Sequence, residues 1–265
     1  MTPLQIVVLA LIQGLTEFLP VSSSAHLILG GKLFGWPDQG LVFDVATHLG
    51  TLLAVLIYFR HDLAAMAAAC LRAPRDESDR EHRSMALFLA LASVPVLAAG
   101  ALLHDQVEQY LRDVRVIAWS TIGFGLLLWA ADAAGARVRD LGRMTLGRAL
   151  VIGLAQALAL VPGTSRAGIT ITAGRMLGFT PEAAARFSFL LSIPVIAAAG
   201  GYGASRVAAG DGGIEWSEFL LALGLSAAAG WVCIAAFLAL IRRVGLLPFV
   251  LYRLALGLLL LWLAS

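Results

Sequence analysis

"QGLTEFLPVSSSAH", residues 13–26, and "QALALVPGTSRA", residues 156–167, decide the fold. Each begins in an apolar run, meets a proline and continues into hydroxyl side chains. Irregular backbone at membrane depth is tolerated only where it is buried in protein or lines a water-filled cavity. Each region, 1–35 and 148–178, is therefore either a conventional span followed by a loop or a re-entrant hairpin of two short helices.

The rest of the chain reads as membrane. Of 265 residues, 60% are hydrophobic and only 14% charged, against about 25% charged in soluble domains. About 20 apolar residues cross the hydrocarbon core, and six windows satisfy this: 41–59, 84–103, 114–132, 185–204, 217–240 and 247–264. The formal charge of +2 and pI near 8.8 give no case for a nucleic-acid partner. Cys70 and Cys233 suit neither a disulfide framework nor a metal cluster. The first 19 residues lack a basic start and a small-residue cleavage site, so they are expected to stay in the mature protein.

Loop arginines orient the spans. The 60–83 loop carries Arg60, Arg72, Arg75, Arg80 and Arg83, and 133–148 carries Arg137, Arg139, Arg143 and Arg148. The loops at 104–115 and 205–216 are poorer, and Arg242 and Arg243 follow the fifth window. Positively charged loops stay cytoplasmic. The counts fit best when 60–83 is cytoplasmic and both broken regions return to their starting side, with Arg175 and Arg186 on the inner face. The two regions then enter from opposite faces, each followed by three spans. The expectation is an all-α integral membrane protein, a single polytopic unit of six transmembrane helices plus two re-entrant helical hairpins. Its inverted-topology repeat joins about 1–132 to about 148–265. After the proline, V-S-S-S-A faces G-T-S-R-A once one residue of length difference is allowed.

Two constellations could carry chemistry. Gln13 and Glu17 share a helix face, and a carboxylate in an apolar segment faces a bundle interior or cavity. Ser22, Ser23 and Ser24, beside unpaired N–H groups of a helix start, suit an anion, and one hydroxyl is expected to cap that helix. His26 offers a base, a nucleophile or a donor. In the second region Thr164 and Ser165 offer hydroxyls, and Arg166 offers a fork matched to phosphate. Its anionic partner is either Glu17 or a ligand phosphate. Asp44 and His48, four apart in the first window, are either a helix-locking pair or part of the site. Pro95 and Pro194 are expected to kink their helices. The head group bound there is anionic, either a soluble ion or a lipid.

With "FDVATHLGTLLAVL" from Phe43 and "FSFLLSIPVIAAAG" from Phe187, these motifs resemble bacterial undecaprenyl-diphosphate phosphatases of the bacitracin-resistance type along the whole chain. The resemblance implies a membrane enzyme that hydrolyses undecaprenyl diphosphate to undecaprenyl phosphate and inorganic phosphate, recycling the lipid carrier of peptidoglycan synthesis. It implies residence in the bacterial cytoplasmic (inner) membrane, surrounded by membrane lipid, with the site opening to the periplasmic side. It also implies dependence on a divalent cation, Mg²⁺ or Ca²⁺, with Glu17 as ligand. Glu17 and Arg166 match the family's essential carboxylate and phosphate-binding arginine. Ser23 and His26 match residues that serve as nucleophile or proton shuttle, with Ser22, Ser24, Thr164 and Ser165 around the diphosphate. Gln13 stands where the family has Glu or Gln, and Ala167 where many relatives have serine. Ser23, His26 and water remain open as nucleophile, and a homodimer remains open as the assembly. The competing reading is a transporter or flippase of a phosphorylated lipid or other anion, since inverted repeats with broken helices also build transporters.

Overall fold

A computed structural model describes residues 1–36, 39–111, 113–209 and 215–264. Among these the chain is helical, with one isolated bridge between Arg139 and Phe179. In the first half lie α1 (Pro3–Thr16), α2 (Ser23–Phe34), α3 (Gly40–Tyr58), α4 (Arg60–Leu71), α5 (Glu77–Tyr110) and α6 (Val114–Ala134). In the second lie α7 (Leu146–Gln156), a 3-10 turn (Ala157–Leu160), α8 (Arg166–Met176), α9 (Pro181–Ala208), α10 (Trp216–Val244) and α11 (Leu247–Leu263).

Among the described residues, five helices are long and apolar enough to cross a membrane: Gly40–Tyr58, Glu77–Leu103, Val114–Ala134, Pro181–Val207 and Trp216–Val244. The sixth expected window is occupied by α11, whose 17 residues sit at the lower limit of about 17–25 for a crossing helix. Polarity is distributed inside out. Trp119, Trp129, Leu102, Leu258 and Trp262 face outward, while Gln13, Thr47, Thr121, Gln156, Ser188, Arg175 and Arg253 are buried. Lipid satisfies the first group, and only the protein interior can hydrogen-bond the second. The chain is a multi-pass membrane protein.

The 60–83 segment is not the open loop expected from its charge. Its Ala-rich part forms α4, and α5 starts at Glu77, capped by Asp76. Alanine's helix propensity prevails there over flanking charge. Pro95 and Pro194 lie inside α5 and α9 as expected.

Packing crosses between the halves. α1 lies along α10, α7 lies along α5, α3 packs on both α9 and α10, and α6 pairs with α11. Gly153 allows the α7–α5 approach, because a Cβ there would run into the Ala92 carbonyl. Both broken regions fold back on themselves. α2 packs on α1, where a Cβ on Gly30 would touch Leu9, and Leu27 and Trp36 join the cluster that holds Ile6, Leu9 and Ala10. The end of α8 meets the segment preceding α7, where Val138 and Arg139 N–H groups donate to the Gly178 carbonyl at 3.2 and 3.1 Å. Buried Arg175 fastens this end to α6, with its Nε 2.7 Å from Asp132 Oδ1. Arg186 reaches Asp62 of α4 at 3.2 Å. The arginines expected on one face are thus held beside the ends of α4 and α6.

Candidate active site

The tip of each broken region is a strained turn. Proline disfavours the α conformation in the residue before it, and α1 and the 3-10 turn both end before Pro20 and Pro162. Among the described residues, only Ser22 (φ 73°) and Ser165 (φ 69°) are non-glycine residues with positive φ, and each immediately precedes a helix. Such conformations cost about 1–3 kcal/mol and persist where surroundings over-determine them. Ser22 follows Gln13, and Ser165 follows Gln156, by nine positions. The turns therefore match Ser22 with Ser165, one residue away from the post-proline comparison, which faced Ser22 with Thr164.

Gly163 (φ +91°) makes the second turn possible. A Cβ there would strike Ser120 Oγ and the Ile117 carbonyl oxygen. Gly163→Ala is expected to destabilise the folded protein by about 2–3 kcal/mol, from the forbidden φ and the clash together. A lowered melting temperature in detergent checks this, and an unchanged one contradicts it.

Glu17, at the C-cap of α1, is the hub. Its Oε1 accepts from Arg166 Nη2 at 3.1 Å, and its Oε2 accepts from Gln13 Nε2 at 2.9 Å and Ser23 Oγ at 3.0 Å. The Glu17 and Arg166 side chains are only 10% and 12% exposed. At that burial, removing one partner strands the other as an uncompensated charge. Arg166 also donates to the Ser188 carbonyl at 3.2 Å, and the Ser188 hydroxyl lies 2.7 Å from Thr170 Oγ1.

The two histidines have defined tautomers. His26 Nδ1 lies 2.7 Å from the Ser22 carbonyl oxygen, which can only accept, so this nitrogen carries the proton. Nε2 then accepts from the Tyr252 hydroxyl at 2.6 Å, with the two rings stacked 5.5 Å apart. His26 is thus turned toward α11, and the carboxylate beside Ser23 is Glu17. His48 Nδ1 likewise donates to the Asp44 carbonyl at 2.7 Å, and its Nε2 lies 3.4 Å from Gln13 Nε2. The Asp44–His48 pairing runs through Asp44's backbone. Asp44's carboxylate accepts from Gln39 Nε2 at 3.1 Å, while His48 reaches the Gln13–Glu17 cluster through Gln13.

The hydroxyls divide their work. Ser165 Oγ caps α8 by accepting from the Gly168 N–H at 3.1 Å. The cap expected on α2 is not made; Ser22 Oγ lies 3.1 Å from Ser24 Oγ instead. Thr164 Oγ1 and Gln13 Oε1 are buried and have no hydrogen-bond partner among the described residues.

No group of three or more His, Cys, Asp or Glu side chains that could hold a metal occurs among the described residues. A protein-only metal cage is therefore absent from them. One carboxylate and the orphaned Gln13 Oε1 suit a hard cation that takes its remaining ligands from phosphate and water, as Mg²⁺ commonly does.

Tyr252 and Arg253 were missed at the sequence level. Arg253 is the one charge in the apolar run 246–265; the reasoning that singles out Arg166 would have found it. Tyr252 carried no sequence signal, because only the folding of α11 against α2 brings it to His26.

The family model described as bacitracin resistance protein BacA matches residues 6–259. The undecaprenyl-diphosphatase of Alcanivorax borkumensis is 53% identical over 261 residues, covering 98% of both chains. Undecaprenyl-diphosphatase 1 of Pseudoalteromonas translucida is 51% identical over 257 residues, covering 97% of both. The undecaprenyl-diphosphatase of Chromohalobacter salexigens is 52% identical over 267 residues, covering 98% of this chain and 99% of its own. With the match running from α1 into α11, the chain belongs to the bacitracin resistance protein BacA family.

Proposed function

We propose that this protein is an undecaprenyl-diphosphatase, hydrolysing undecaprenyl diphosphate to undecaprenyl phosphate and inorganic phosphate and so recycling the carrier lipid. The observation that carries the reading is Glu17 holding Ser23 at 3.0 Å and Arg166 at 3.1 Å, in a chain about half identical to relatives of that name. Ser23 thus has a base within reach and a phosphate-matching fork across the same carboxylate.

In this mechanism the terminal phosphate enters between the turns and takes Arg166 from Glu17 as a bidentate partner. Unpaired N–H groups at the starts of α2 and α8 hold the remaining oxygens. Ser23 Oγ attacks the terminal phosphorus while its proton passes to Glu17. The bond from that phosphorus to the bridging oxygen breaks, and undecaprenyl phosphate departs. Glu17 hands that proton to the departing undecaprenyl phosphate and is free to act again. Water then attacks the phosphoserine and gives a proton to Glu17, which returns it to Ser23 Oγ as the bond from phosphorus to Oγ breaks, releasing inorganic phosphate and free Ser23. Direct attack by water with Glu17 as base uses the same groups without the covalent stage. His26, fixed between Ser22 and Tyr252, orients the α2 side of the site. A Mg²⁺ or Ca²⁺ ion held by Glu17 and Gln13 Oε1 would neutralise phosphate charge.

The architecture proposed with it has six spans and two re-entrant hairpins, repeated about 1–132 and 148–265. It lies in the bacterial cytoplasmic membrane with the site open outward. Support comes from the return of α8 to the start of α7, the arginine-rich 60–83 and 133–148 segments, and the exchange of α1 onto α10 and α7 onto α5. That exchange also favours a second reading, a flippase for a phosphorylated lipid. Phosphate release by the purified full chain, with Mg²⁺ or EDTA, separates the two. Metal-dependent release that falls at least about 10²-fold in Ser23→Ala is the enzyme's result. Lipid binding without release overturns it in favour of transport. A trapped phosphoserine in wild type identifies the covalent route.

A further inference from the structure

Arg253 of α11 is fully buried and, among the described residues, donates only to backbone carbonyls. Its Nη2 reaches Gly163 O at 2.9 Å, and its Nη1 reaches Thr164 O at 2.8 Å and Pro20 O at 3.4 Å. Its Nε reaches Thr121 O of α6 at 3.0 Å. One guanidinium therefore grips both strained turns and the helix beside them. No carboxylate among the described residues forms an ion pair with it, so it brings net positive charge to the junction where Glu17 and Arg166 neutralise each other. A buried unpaired cation is costly in a membrane, and an apolar side chain would anchor α11 without that cost.

The directions of its hydrogen bonds indicate what the charge does. Every described peptide is trans, so a carbonyl aimed at Arg253 sends its own peptide's N–H the opposite way. Thr164 N–H, from the Gly163 peptide, is used by Val161 O at 3.2 Å, and Val21 N–H, from the Pro20 peptide, by Leu19 O at 2.8 Å. Among the described residues, Ser165 N–H, from the Thr164 peptide, has no backbone acceptor. Resting on the phosphatase reading, we propose that Arg253 is a positioning residue. It holds Ser22 and Ser165 in their positive-φ conformations and turns the Ser165 N–H toward the phosphate beside Arg166. Arg253 itself stays behind the turns and does not touch the reacting atoms.

The test uses the full chain in detergent as Arg253→Lys, which keeps the charge but loses the fork, and as Arg253→Gln. Phosphate release from undecaprenyl diphosphate with Mg²⁺, melting temperature and backbone amide exchange are measured on both. The expected result is a kcat lowered about 10²-fold in both variants, the scale for a lost preorganised donor, with KM within about threefold of wild type. Exchange should accelerate together in residues 19–24 and 162–167 while α3, α5 and α10 stay protected. Full turnover in Arg253→Lys, or exchange unchanged in either turn, overturns the role. Global unfolding of both variants assigns Arg253 to general packing and also overturns it. Should wild type release no phosphate, the phosphatase reading fails, and the exchange measurement still decides whether Arg253 holds the two turns.

Discussion

Arg166→Ala is expected to lower kcat/KM for undecaprenyl diphosphate by at least about 10³-fold, through loss of both phosphate binding and transition-state charge stabilisation. The substitution also strands Glu17. The pair is 3.1 Å apart with both side chains nearly buried, and breaking a buried pair from one side costs about 3–5 kcal/mol. Inactivity of Arg166→Ala alone would thus mix lost chemistry with lost folding. Two companions separate them. Arg166→Lys keeps a counter-charge for Glu17 but cannot present two parallel N–H donors, so it should fold well and lose about 10²-fold in turnover. The double variant Glu17→Gln/Arg166→Met removes both charges together. It should melt closer to wild type than Arg166→Ala does and remain inactive. Turnover within tenfold of wild type in a folded Arg166→Ala would contradict the assignment.

That Arg166 needs an anionic partner was legible in the sequence, with Glu17 and a ligand phosphate both open, and the fold supplies Glu17. A charge in an apolar stretch needs a partner or an aqueous cavity, and each half supplies one charge beside a proline break. The turns were legible for a similar reason: proline and clustered hydroxyls are local signals whose effect does not depend on the rest of the fold. What depends on tertiary direction was not legible. His26 stands three residues after Ser23 in the same helix, yet its ring turns to Ser22 and Tyr252. Helical spacing cannot reveal that choice, since it depends on where α11 lies. Asp44 and His48 share a helix face, yet Asp44's carboxylate takes Gln39 while His48 reaches Gln13. α4 was hidden by five arginines whose loop-like signal outweighed the run of alanines between them. The matched serines escaped because positive φ in a non-glycine residue has no sequence code. It follows from what grips the turn, here a guanidinium from the last helix.

Glu17→Gln is expected to separate binding from turnover in opposite directions. In wild type the substrate's terminal phosphate must draw Arg166 away from Glu17, and the lost ion pair subtracts from ground-state affinity. A neutral glutamine relaxes that competition, leaving Arg166 a buried cation in want of an anion. KM should fall several-fold, or inorganic phosphate should inhibit more strongly, because charge-assisted bonds to phosphate no longer replace an equivalent bond. Turnover should collapse by about 10³-fold or more, since the amide cannot take the Ser23 or water proton. Nor can glutamine reproduce the hub. Glu17 accepts from Gln13, Ser23 and Arg166, whereas an amide turns one N–H₂ face toward at least one of those donors. Ser23 should therefore lose its fixed rotamer as well as its base. The check is kcat and KM measured separately, with phosphate as inhibitor, on protein whose melting temperature has been recorded. A rise in KM with kcat unchanged would recast Glu17 as a binding group and leave the base to be found elsewhere, with His48, linked to it through Gln13, next in line.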